Sequence, residues 1–192
     1  MARAFKSTSR GITGALHSPE RKLLRKLIDD VITLLEERAE LHQLPEDADP
    51  LFALTGIQPA GRELPEPSDP AVKLLLPDAS EDPVLAAEHR RLSEADLISA
   101  KTGALREAKL HLETDRLLFD VPAAQRFARA LNDVRLVLSE RLSIRDEQDS
   151  QRVAEIVDAA QVQSAEEYLA LAYNLITWVQ DSLMNALLDA EF

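Results

Sequence analysis

Apolar positions recur at helical spacing along most of this chain. Leu24, Leu27, Ile28, Val31, Leu34 and Leu35 line one helix face, while Arg25, Asp29, Glu36 and Glu40 fall off it. Ser18-Pro19-Glu20 stands in front as a start signal: a capping hydroxyl, a proline at the first position and an acid at the positive end of the helix dipole. The pattern predicts a helix over 18–41 that stops before Pro45. Leu97, Ala100, Ala104, Leu105, Ala108 and Leu112 make the inward stripe of a second long helix, 94–114, opened by the capping box Ser93-Glu94-Ala95-Asp96. Phe127, Leu131, Val134, Leu138 and Leu142 predict a third, 122–143, behind Pro122. Ser164-Ala165-Glu166-Glu167 opens the last, 164–189. This one is apolar on most sides, with only Asn174, Thr177, Asp181 and Asn185 as a narrow polar stripe. Such a helix is expected at the centre of a bundle, or with its exposed flank against a second copy in a homodimer.

Shorter elements are marked by punctuation. Asp49-Pro50, Asp69-Pro70 and Asp82-Pro83 each put a carboxylate at an N-cap and a proline behind it, predicting helices over 50–55, 70–76 and 83–92. A weaker helix follows the polar break Arg145–Asp149, over 150–160. Residues 1–16 read as a β-hairpin around Ser7-Thr8-Ser9-Arg10-Gly11, with Gly11 and Gly14 weakening both arms. The expected fold is mainly α: a single-domain helical bundle over 1–192 with a small N-terminal β-hairpin.

Composition supports that class. Aromatics are only 4%, against 45% hydrophobic residues overall, and the Leu/Ala bias favours helix over strand. The net charge of −12 repels polyanions and anionic lipid, so nucleic acid is approachable only through a local basic patch. Such a patch exists at the start, where Met1–Ile28 holds seven basic residues and one acid, Glu20. Arg3, Lys6 and Arg10 of the hairpin and Arg90 and Arg91 are therefore the candidate contacts for a partner or for DNA. The tight Leu92-Ser93 junction, with Lys101, Arg106 and Lys109 beyond it, loosely suggests a helix-turn-helix, but interleaved acids favour surface pairing. Arg129 with Asp133 reads as an ordinary ion pair at four-residue spacing.

Catalytic chemistry is not marked. The absence of Cys rules out a thiol nucleophile, a thiolate metal site and a disulfide framework. The five glycines form no phosphate-cradling cluster, and Glu107 with His111 would need at least one more ligand from elsewhere to hold zinc. No enzyme activity, cofactor or metal is expected. With no long apolar run and no secretory signal, neither a membrane partner nor export is expected, and the cytoplasm is the expected location.

The motifs taken in order resemble a known family. They are Phe5 in a basic hairpin, Asp49-Pro50-Leu51 through Gly56-Ile57, Leu75-Leu76-Pro77-Asp78-Ala79, Ala86-Ala87-Glu88-His89-Arg90-Arg91, Leu131-Asn132-Asp133-Val134-Arg135, and Trp178-Val179-Gln180-Asp181-Ser182-Leu183. Together they are similar to the AosR family of actinobacterial oxidative-stress transcriptional regulators, long filed as a domain of unknown function. The resemblance spans nearly the whole chain. It implies a non-enzymatic regulator acting with RNA polymerase or a sigma factor. Oxidative sensing would have to pass through a partner, because only Met1 and Met184 are oxidisable here and Met184 is expected to be buried. An interaction adaptor outside transcription, for example in protein turnover, is the competing reading.

Overall fold

The computed structural model describes residues 2–43, 64–156 and 162–190. It is mainly α, with a small antiparallel sheet. The elements are β1 (Arg3–Thr8), β2 (Gly11–Ala15), α1 (Ser18–Glu40), α2 (Pro70–Leu75), α3 (Pro83–His111), β3 (Arg116–Phe119), α4 (Val121–Arg141), α5 (Glu147–Ala154) and α6 (Ala165–Ala190). The chain groups into two compact units, residues 1–31 with 104–192 and residues 32–103, and both α1 and α3 contribute residues to each. The helix expected over 50–55 lies outside the described residues.

In the first unit the expected hairpin gains a third strand, in the order β1-β2-β3. Ile12 pairs with Phe119 and Ala15 with Arg116, while a bulge interrupts β1 between Arg3 and Lys6. The two glycines that weaken the hairpin on paper are required by it. Gly11 has φ +118°, and a Cβ there would stand 2.4 Å from the Phe119 carbonyl oxygen. A Cβ on Gly14 would stand 2.6 Å from the Phe5 ring. The space it leaves lets Phe5 stack on Phe119, which in turn meets Phe127 of α4 at 5.0 Å between centroids. α6 packs most extensively on α4 and β1. Ser182 accepts the Phe5 amide at 3.4 Å, so the helix lies against an edge strand that would otherwise present open backbone.

Capping follows local sequence closely. Ser164 and Glu167 exchange the reciprocal bonds of a capping box, with Glu167 N–H donating to Ser164 Oγ at 3.1 Å. Asp69, Asp82 and Asp120 each accept from amides of the first helical turn. α4 ends in a Schellman turn, in which Ile144 N–H reaches Ser139 O while Ser143 takes φ +54°.

The second unit differs from expectation at one place. The helices expected over 83–92 and 94–114 are one helix, α3, so no turn separates them and the helix-turn-helix suggestion falls. Ser93 does not cap. Its hydroxyl donates to the His89 carbonyl at 2.9 Å, the back-bond by which a mid-helix serine is tolerated. Glu94, where the second helix was expected to begin, is buried mid-helix. The inward stripe shifts accordingly to Ile98, Leu105, Ala108 and Leu112, and Leu97 and Ala100 turn outward. Leu64, Ala71, Val72, Leu75, Leu76 and Ala86 supply apolar core to this unit.

Candidate interaction surfaces

Titratable side chains converge in the second unit, and their geometry is structural. Glu94 Oε1 accepts from Arg38 Nε at 2.6 Å and lies 2.8 Å from His42 Nε2, while Oε2 accepts from Arg38 Nη2 at 3.2 Å. Arg38 also donates to the Pro65 carbonyl at 2.7 Å. Burial pushes the Glu94 carboxyl up, but the His42 and Arg38 hydrogen bonds and the Arg38 charge outweigh it and hold the group below the usual carboxylate range. A carboxylate with both oxygens engaged, shielded from solvent and ionised at neutral pH locks a tertiary contact. It is not poised to take a substrate's proton.

Glu107 and His111 do share a face of α3, 3.8 Å apart, as their spacing requires. Glu107 is nevertheless taken by Arg126 of α4, through a two-pronged bond of 2.9 to 3.1 Å. That bond holds the Glu107 carboxyl below its usual range. Among the described residues no three His, Asp or Glu side chains are grouped to hold a metal. Two clefts, of about 190 and about 220 Å³, are smaller than the roughly 300–1,000 Å³ of ordinary small-molecule sites.

The five candidate contact residues divide between the two units. Arg3, Lys6 and Arg10 are exposed on the hairpin of the first unit. Arg90 and Arg91 belong to the second unit. Arg90 is 8% exposed and its guanidinium is bound to Asp78, so it belongs to the interior. Arg91 is drawn down onto Glu88, at 2.7 Å. Each of the two is thus matched by an acid close in sequence.

Two helices also expose large apolar side chains. On α3, Val84, Leu85 and Leu92 are 77%, 58% and 54% exposed. Leu85 and Leu92 are seven residues apart and so lie on one face, with the Glu88–Arg91 pair between them. On α6, Ala172, Ile176, Val179, Leu183 and Leu187 face the core, while Tyr168, Trp178, Met184 and Leu188 are exposed. This helix is therefore not surrounded on all sides as its composition suggested, and Met184 is a surface residue.

A family model described as a domain of unknown function, DUF2017, matches residues 2–187. The chain belongs to the DUF2017 family. No curated protein and no solved structure matches it. The span shared with DUF2017 runs from the hairpin into the last turns of α6, so it contains both apolar faces. No helix of the described residues is long and apolar enough to cross a membrane.

Proposed function

We propose that this DUF2017 protein is a non-enzymatic regulator that works by binding another protein through the first three turns of α3. The observation that carries this reading is the exposure of Val84, Leu85 and Leu92 on one helical stretch. Large aliphatic side chains left in water at helical spacing, next to an ion pair that can form a polar rim, have the composition of a helix-in-groove contact. On this reading the partner belongs to the transcription apparatus, as RNA polymerase or a sigma factor, and the protein is cytoplasmic; the motif resemblance supports both. The chain has no thiol, so on this reading a response to oxidants passes through that partner or through the exposed Met184.

DNA contact through Arg90 and Arg91 is not part of this reading, because both are engaged by acids. The test is affinity capture from native lysate with the wild-type chain and with Leu85→Ser/Leu92→Ser. Proteins held by the wild type, polymerase subunits or sigma factors among them, should be lost from the variant while its circular dichroism is unchanged. An identical set of captured proteins on both baits would refute the α3 face as the binding site.

A further inference from the structure

We propose that the solvent flank of α6 is the interface of a homodimer, closed by the basic hairpin of each copy against the acidic last helix of the other. This flank belongs to the first unit and is independent of the α3 face.

Charge segregation within one surface carries the inference. α6 contains no Lys, Arg or His, and its solvent side holds Glu166, Asp181 and Asp189 beside Trp178, Met184 and Leu188. The hairpin that packs on it contains no acid and exposes Arg3, Lys6 and Arg10. Among the described residues none of these three bases and three acids is in an ion pair. Elsewhere in the same unit such partners are the habit: Arg25 with Glu113, Lys109 with Asp29, Arg126 with Glu107 and Arg145 with Glu140. A surface that keeps its two signs apart on neighbouring elements is complementary to itself when turned about a two-fold axis, and each contact is then made twice.

The apolar component fits the same axis. Trp178 stands at the middle of Ala165–Ala190, where two crossing helices bury most of each other. Asp181 lies about one helical turn from it. Lys6 lies nearby too, because its neighbour Phe5 is bonded to Ser182. The net charge of −12 opposes self-association by any face that lacks compensating cations, so the hairpin is the element that permits it. A two-fold contact of this kind places a large aromatic in the buried centre and charges around it, the arrangement common to stable interfaces.

The experiment is sedimentation velocity of the full chain from about 1 to about 100 µM, a range that covers ordinary reversible dimers. The expected result is a concentration-dependent dimer whose formation shifts the emission of Trp178, the single tryptophan, to the blue. Trp178→Ala and Lys6→Glu should each weaken it about tenfold or more, with circular dichroism unchanged, and adding Asp181→Lys to Lys6→Glu should regain most of the loss. A chain that stays monomeric throughout would overturn the proposal. So would a dimer indifferent to both single variants, or a Trp178 flank that binds a different protein while the chain itself remains monomeric.

Discussion

The two units hold themselves together by different means. The first is built on contact between apolar rings: Phe5 lies over Gly14 and stacks on Phe119, which meets Phe127. Its ion pairs sit at the surface, as with Arg126 and Glu107. In the second, charge is inside. Glu94 is clamped by Arg38 and His42, and Arg90 is buried against Asp78. A buried pair is little better for stability than an apolar core of the same shape, yet costly to break, because removing one partner strands the other in a medium that solvates it poorly. The first unit should therefore answer to shape, and the second to charge and pH.

The largest effect is expected where that contrast is sharpest. Glu94→Ala removes the carboxylate that Arg38 and His42 share and should destabilise the second unit by about 3–5 kcal/mol. Trp178, Tyr168 and Tyr173 all belong to the first unit, so intrinsic fluorescence reports that unit while far-ultraviolet circular dichroism reports both. Urea unfolding of the variant should show the dichroism falling well before the fluorescence. Coincident transitions would mean that the units do not differ as described.

Acid should act in the same direction. The Glu94 carboxyl is held below the usual carboxylate range in the folded state, so its contribution is fully present above that range. It is lost as pH falls through the depressed value, below the usual carboxylate range. Glu107 is depressed as well, but it and Arg126 are both substantially exposed, so its contribution is screened by solvent. Helical signal should fall in acid ahead of Trp178 emission, and Glu94→Ala should abolish that separation.

Gly14→Ala tests the other side. Its Cβ would drive into a Phe5 ring that is itself stacked, and overpacking of this kind costs about 1–3 kcal/mol. The loss should appear in fluorescence and be the same at pH 5 and pH 8. The smallest effect is a gain. Ser143 holds the left-handed position that ends α4, and Ser143→Gly should raise stability by at most about 1 kcal/mol, read as a shift of the urea midpoint.

What the sequence made legible is what depends on near neighbours. Capping boxes and Asp-Pro starts are settled within three residues, and Ser164 with Glu167, Asp69 and Asp82 behave as their spacing indicates. Strand β3 escaped because four residues are too few to show alternation and its pairing partner, β2, lies about a hundred residues upstream. The continuity of α3 escaped for a related reason. Ser93-Glu94-Ala95-Asp96 looks like a helix start until Arg38 and His42, 56 and 52 positions from Glu94 in the chain, are brought to that carboxylate. Tertiary partners thus turned an apparent helix start into a core residue. The apolar faces were half legible: the stripe on α6 was visible in the sequence, but which side faces water was not.

The proposal that the start of α3 is the working surface can be tested directly in the native cell. A photoreactive residue placed at Leu85 should crosslink to a protein, and that crosslink should disappear when Leu92 is changed to Ser. Crosslinks that persist in the Leu92→Ser background, or a labelled chain that attaches to no protein at all, would contradict it.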